Sequence, residues 1–384
     1  MRRACALFLL CSVIPLLPAR AGAQAGVSLL GLGRPEDPVD ARIRALGGAG
    51  AVAHGRNYSL LNPAALSGVT SAGAFFGFAT ENRDVDGSLA RGSLRGTRFP
   101  VGQLVYPLGE RWTAAVGFGG FLDQEWLVTF EDTLRLAEDT IPFTENRGSE
   151  GGISQLRAAA AWRLHERVSV GLGLDLYAGD VVRSVRRRFD DPNFLLEPYQ
   201  DEERWEYDAW GWTAGLVVRP IEELQIGGAF SWASSLTATR DSATREQIFP
   251  MPVRAYGGVS WRIAPDVTWL LQVGFAEWSR AAPALGGAAK NTWSFGTGVE
   301  APLARRETAT YFVRAGYRRV SLPFTTGGDQ GREYAWSVGL GGALASGLVR
   351  ADATYDIGKR GDLASVGIEE SFRRFSFGLS VSQR

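Results

Sequence analysis

The run VSVGLGLDLY, residues 168–177, sets a period that most of the chain repeats. Val168, Val170, Leu172, Leu174 and Leu176 alternate with Ser169, Gly171, Gly173, Asp175 and Tyr177, so a strand here has one greasy face and one small or polar face. The pattern recurs in Val253, Ala255, Gly257, Val259, Trp261 and Ile263, in Trp269, Leu271, Val273 and Phe275, and in Tyr334, Trp336, Val338 and Leu340. Such runs are about ten residues or longer, the length a tilted strand needs to cross a bilayer. Trp112, Trp162, Trp261, Trp269, Trp293, Tyr311 and Tyr334 stand near the ends of greasy faces, where interfacial girdles form.

The alternation predicts about fourteen strands, near 71–80, 97–107, 112–122, 153–164, 168–185, 204–219, 224–238, 252–263, 267–279, 291–300, 309–319, 333–344, 348–357 and 371–382. The links between them alternate in length. Gly109 to Arg111, His165 to Arg167, Pro220 to Glu223, Ala264 to Asp266, Ala301 to Thr308 and Ala345 to Gly347 are short. Glu81 to Gly96, Asp123 to Gly152, Val185 to Glu203, Thr239 to Met251, Arg280 to Lys290, Val320 to Arg332 and Gly358 to Glu370 are long and polar. An even-stranded membrane barrel with both termini in the periplasm sorts its links this way, and a soluble barrel has no reason to. An even count also closes the sheet, which hydrocarbon demands because it leaves no partner for an exposed backbone edge. The expected fold class is all-β, a transmembrane antiparallel β-barrel occupying residues 71–384.

Ahead of the strands, residues 1–23 have the layout of a secretory signal: Arg2 and Arg3, an apolar run from Ala4 to Leu17, and the small-residue exit Ala21-Gly22-Ala23. Cys5 and Cys11 both fall inside it, so the remainder has no thiol for disulfides, nucleophilic catalysis or metal ligation. Losing Arg2, Arg3 and Arg20 with the leader leaves 38 basic against 41 acidic residues, a net charge of −3 and no basic excess of the kind nucleic acid calls for. The 48 glycines and 42 aromatic residues suit an all-β protein with interfacial rings. No stretch after the leader has about 18 uncharged apolar residues, which excludes helical spans.

Residues 24–70 have no place in the wall. Ala25 to Asp40 reads as a loose lead-in, and Arg42 to Leu66, RIRALGGAGAVAHGRNYSLLNPAAL, reads as a compact plug in which Gly47, Gly48 and Gly50 permit close backbone approach and Pro63 forces a turn at Asn62. This stretch resembles the N-terminal hatch of the FadL-like long-chain fatty acid transport family of outer-membrane proteins. DATYDIGKRG (352–361) and IEESFRRFSFGLS (368–380) resemble that family's last two strands. The resemblance implies a monomeric barrel in the outer membrane of a Gram-negative-type bacterium, plugged by the hatch. Hydrophobic molecules would enter from outside and leave sideways near a kinked strand. It also implies outer-membrane lipid, lipopolysaccharide and the barrel-assembly machinery as partners, and no cofactor. By motif, Asn62, Pro63 and Ala64 are the hatch contact with the wall. One departure is the C-terminus, Val381-Ser382-Gln383-Arg384, which lacks the terminal aromatic of assembly signals; Phe375 and Phe377 keep the aromatic alternation earlier.

Gly117, Gly119 and Gly120 mark a possible kink in the third strand, or else room for lumenal side chains. For a ligand head group, Arg157, Arg254 and Arg314 fall on the polar faces of strands 4, 8 and 11; the alternative is that they pair with Asp175, Asp352 or Glu300. His54 and His165 have no partner motif, which speaks against a hydrolase and a metal centre. Asp84-x-Asp86-Gly87, Asp190-Asp191 and Asp201-Glu202-Glu203 read as solvated loop acids rather than an ion site. Passive uptake of long-chain fatty acids or other hydrophobic compounds is therefore the leading function, not an enzyme activity. A PorV-type docking or shuttle barrel for secreted proteins and a purely structural barrel are the alternatives. A side opening favours transport, and a tightly packed lumen beside an ordered outer platform favours docking.

Overall fold

The structure is a computed structural model that describes residues 27–87, 91–136, 139–190, 196–241, 246–325, 329–363 and 367–383. The expected leader, Asp191 and Arg384 lie outside the described residues. Fourteen wall strands follow one another around a closed antiparallel sheet. They are β1 (Gly73–Gly87), β2 (Arg91–Arg98 and Val101–Leu108), β3 (Trp112–Asp123 and Trp126–Leu136), β4 (Asp139–His165), β5 (Val168–Phe189), β6 (Tyr199–Ile221) and β7 (Leu224–Ala233 and Leu236–Arg240). The circuit continues with β8 (Gln247–Phe249 and Arg254–Ala264), β9 (Val267–Ala276), β10 (Thr292–Arg306), β11 (Ala309–Ser321), β12 (Arg332–Leu344), β13 (Val349–Asp362) and β14 (Ile368–Ser382). Closure is made by β14 on β1, in unbroken register from Ile368↔Gly87 to Ser382↔Gly73.

The period-two pattern sorts into two faces as a bilayer requires. Leu174 is 63% exposed while its neighbour Asp175 is 1% exposed, and the same inversion puts Trp336, Val338 and Leu340 outside and Glu333, Ser337 and Thr354 inside. Trp112 and Trp162, opposite each other on β3 and β4, stack at 5.2 Å on the outer surface. No helix among the described residues is long and apolar enough to cross a membrane. The barrel is greasy outside and polar within, so it is lipid that completes its burial.

The long outer links differ from their reading as loops. Glu81 to Gly87, Trp126 to Gly152 and Val185 to Phe189 are mostly paired strand. β4, β5 and β6 run 27, 22 and 23 residues, well beyond the about 9–11 that span a bilayer. Polar and β-branched residues continue the ladder there. Arg186 meets Glu202 and Arg240 meets Glu203 across the strands, so acids that looked like loop acids are held in ion pairs on strand extensions.

The two-faced wall makes a testable claim. Leu174→Arg, on the lipid face, should cost about 2–4 kcal/mol of stability for a cation near the bilayer midplane. Reversible denaturant unfolding in lipid vesicles measures this; an unchanged midpoint would place Leu174 away from hydrocarbon.

Candidate functional site

The N-terminal segment begins with three residues in 3-10 conformation (Val27–Leu29), bridges β3 through Arg34 and Pro35, and forms one short helix, α1 (Ala41–Ala45). Asp40 caps α1 by accepting from the Ile43 amide at 2.7 Å, and its other oxygen accepts from Tyr58. Burial is the largest influence on the Asp40 carboxyl and raises its pKa above the ordinary value, against these two amides and Arg42.

From Val39 to Val69 the segment is almost entirely buried, encircled by the inward faces of the wall. Thr354 on β13 donates to the Ala41 carbonyl at 2.5 Å. Gln272 on β9 bonds the backbone of Ala51 and Gly48, and Gln225 on β7 that of Val52. Arg42 makes two 2.8 Å bonds to Glu300 on β10, which also accepts from Arg314 on β11. Burial alone would lower the Arg42 pKa, but Glu300 outweighs it and holds Arg42 charged.

Asn62, Pro63 and Ala64 sit where β5 and β6 carry glycine. A Cβ on Gly171 would collide with the backbone of Pro63 and Ala64, and one on Gly215 with the Asn62 side-chain oxygen. Asn62 accepts from the Ala64 amide at 2.9 Å and donates to Ala51 and Leu216 carbonyls at 2.8 and 3.2 Å. Its side chain thus ties the turn, the segment and the wall together.

Two wall strands are interrupted side by side. β2 breaks at Phe99-Pro100, where proline has no amide to give the ladder, and β3 breaks at Gln124-Glu125. The two pair from Val101↔Gly119 down to Leu108↔Trp112. Beyond that, Arg91–Arg98 pairs with β1 and Trp126–Leu136 with β4, and no ladder joins them among the described residues. The register of β3 on β4 also shifts between Gly120 and Leu122, which turns Phe121 inward against Tyr177 and Trp278. Gly117, Gly119 and Gly120 lie at this interruption, and each also faces the N-terminal segment: Leu60, Pro38 and Glu36 occupy the space a side chain would take. A recess of about 440 Å³ opens here, lined in part by Phe99, Phe118, Leu122 and Ile153.

An ionic bolt spans the recess. Arg34 bonds Glu36 at 2.6 Å and Asp123 at 2.9 Å; Arg98, across the gap, bonds Asp123 at 3.1 Å and also Glu36. Glu36 lines this recess and an inner cavity of about 70 Å³ as well. Phe121, Tyr256, Trp278, Leu322 and Arg254 contribute to that cavity's walls. A 150 Å³ apolar cavity is roughly what benzene needs, so a ligand ring must push this lining apart.

The three arginines separate. Arg157 is spent on Asp175, with bonds of 2.6 and 2.9 Å, and on Thr213 and the Leu60 carbonyl. Arg314 is held between Glu300 and Asp352. Arg254 has no carboxylate within ion-pair distance among the described residues; it donates to the Tyr177 hydroxyl at 2.7 Å and lies 4.9 Å over the Phe121 ring. Of the cavity residues, Trp278 and Phe121 carry no sequence motif; an inward bulge and a buried loop turn put them there. His165 is exposed at the end of β4, and His54 meets Ser260 at 2.6 Å. The described residues contain no group of three or more His, Cys, Asp or Glu able to hold a metal ion.

No protein-family model matches the sequence, and no curated protein does. The fold does have solved counterparts. A FadL homologue from Pseudomonas aeruginosa aligns with a TM-score of 0.62 and 12% identity over 91% of this chain and 99% of that one. The toluene transporter TbuX of Ralstonia pickettii aligns at 0.62 and 15% identity over 91% and 99%. The monoaromatic hydrocarbon channel CymD aligns at 0.55 and 16% identity over 90% and 98%. The fold is that of FadL-like barrels.

Two measurements probe the hold on the segment. Glu300→Gln removes the carboxylate shared by Arg42 and Arg314; unpairing buried charge should loosen the segment by about 3–5 kcal/mol. Hydrogen exchange should rise across residues 41–47 while the wall ladder stays protected. Burial first, then the charges of Arg219, Arg42 and Arg262, lowers the His54 pKa to about 4 from 6.5. A lowered histidine pKa means the released segment binds more protons than the seated one, so the contribution of His54 is complete above pH 6.5 and is lost as pH falls toward 4. Protease release of the segment should rise over that window, and His54→Gln should flatten the rise.

Proposed function

We propose that the protein is a passive outer-membrane channel for hydrophobic small molecules, with residues 27–70 as its hatch. The observation that carries this reading is the interrupted wall between β2 and β3 beside a cavity partly lined by aromatic rings. Each of the two segments keeps one neighbour, β1 or β4, but no ladder joins their facing edges among the described residues, and a barrel that must pair its backbone within the chain keeps such a gap where something passes. The solved barrels of this shape include a toluene transporter and a monoaromatic hydrocarbon channel. Long-chain fatty acids would take the same path once the lining parts, with Arg254, which has no carboxylate partner among the described residues, to meet the head group, and gating consists of displacing the bolt of Arg34, Glu36, Arg98 and Asp123. The extended strands β3 to β6 outside the membrane favour a second reading, a docking barrel for secreted proteins, in which the wall opening would carry no traffic.

The ladder pair Pro35↔Leu122 offers a reversible lock. Directly opposed antiparallel residues are about 4.5–5.5 Å apart at Cα, within disulfide range, and the only native cysteines, Cys5 and Cys11, fall in the expected leader. Vesicles holding Pro35→Cys/Leu122→Cys should take up labelled fatty acid or toluene slowly when oxidised and at the wild-type rate when reduced. Asn62→Ala, which releases the hatch turn, should change the rate in either redox state. Uptake no faster than in protein-free vesicles would end the transport reading; equal uptake in oxidised and reduced vesicles would end the sideways route.

A further inference from the structure

The lipid-facing surface carries an uneven charge pattern that transport does not use. On β11 the outward residues run Tyr311, Val313, Ala315, Tyr317 and then Arg319. On β12, moving toward the same outer end, Leu340, Val338, Trp336 and Tyr334 lead to Arg332. β13 ends its outward apolar run at Ile357 and continues with Lys359; β14 ends at Phe375 and continues with Arg373. On four consecutive strands the first outward charge beyond the greasy face is a cation.

The register gathers these cations into one patch. Tyr334 is paired with Arg319 on one side and Lys359 on the other, Arg332 faces Ser321, and Arg373 faces Ile357. Four adjacent strands place them within a width of about 14 Å. Arg319, Arg332 and Arg373 are exposed, and among the described residues no acid lies within ion-pair distance of them. Lys359 shares Glu369 at 2.6 Å, and the patch ends at Asp84 and Asp86 on β1. The opposite sector is reversed: the first outward charges beyond Leu176 on β5 and Trp210 on β6 are Asp180 and Asp208. A generic ring of solvated charge would not divide by sign in this way.

We propose that the β11–β14 face is a docking site for a phosphorylated headgroup of an anionic outer-leaflet lipid, bound by Arg319, Arg332, Lys359 and Arg373. Guanidinium groups bond phosphate through paired donors, and their stems lie along the apolar surface while the charge reaches the headgroup layer. Tyr334 and Ile357, in register with these cations, and Trp336, Phe375 and Phe377 next along β12 and β14, all exposed, pack the acyl chains. Position selects this occupant, because the patch continues the hydrocarbon-facing surface outward and any ligand reaching it along that surface is a lipid.

Native mass spectrometry of the full chain in detergent tests this, with diphosphorylated lipid A, phosphatidylcholine and inorganic phosphate as probes. The wild type should hold lipid A more tightly than phosphatidylcholine. Arg319→Gln/Arg332→Gln/Arg373→Gln should weaken lipid A at least about tenfold and leave phosphatidylcholine unchanged, with folding checked by heat-modifiable electrophoresis. Asp180→Asn/Asp208→Asn, on the far side, should leave lipid A binding as it was. If the triple variant does not fold, Arg373→Gln alone and a salt titration of the wild type give the same reading through a smaller loss. Lipid A binding equal in wild type and variant, or displacement by inorganic phosphate at equal concentration, would overturn the proposal.

Discussion

Hydrocarbon offers no hydrogen-bond partner, and the architecture follows from that constraint. Every backbone group at membrane depth must be paired within the chain, so the wall closes on itself through β14 and β1, fifteen residues long on each side. The widest relaxation among the described residues lies between β2 and β3. Where Phe99-Pro100 and Gln124-Glu125 part the ladder of β2 and β3, the N-terminal segment lends Arg34 and Pro35 to Leu122 and Asp123, and the Glu36 amide to the Phe121 carbonyl at 2.8 Å. The edge left there is covered by the N-terminal segment.

The lumen meets the same constraint with charge. Arg360 is completely buried and bonds Glu81, Glu333 and Glu370 at once, while Arg374 shares Glu81. Buried ion pairs add little net stability, but removing one partner leaves a costly bare charge. These networks therefore act as constraints on geometry: they hold the inner faces of β1, β12, β13 and β14 in one arrangement around the N-terminal segment. Arg42 and Glu300 extend that arrangement to the segment itself.

The wall was legible because its code is local. A residue's face is set by its parity along the strand, so Leu174 outside and Asp175 inside follow from the sequence, as do fourteen strands and the sorting of short turns from long links. The extent of the outer strands was less legible, since stretches such as Trp126–Leu136 are polar enough to pass for loop and become strand only by pairing with β4. Asn62-Pro63-Ala64 stood out by motif; its receiving glycines, Gly171 and Gly215, did not, because over a hundred residues separate them from it.

The sequence by itself determined the strand count, the two faces of the wall, the absence of cysteine after Cys11 and the segment that has no place in the wall. Only the tertiary structure decided which arginines are spent and which is available: Arg157 and Arg314 find Asp175, Glu300 and Asp352, while Arg254 finds a tyrosine and an aromatic face. It alone also placed the wall opening and the bolt across it. The reason is physical. Strand periodicity is written between neighbours in the chain, whereas a lumenal partner is set by which strands curve to face each other, and pairs such as Arg42 and Glu300 lie 258 residues apart.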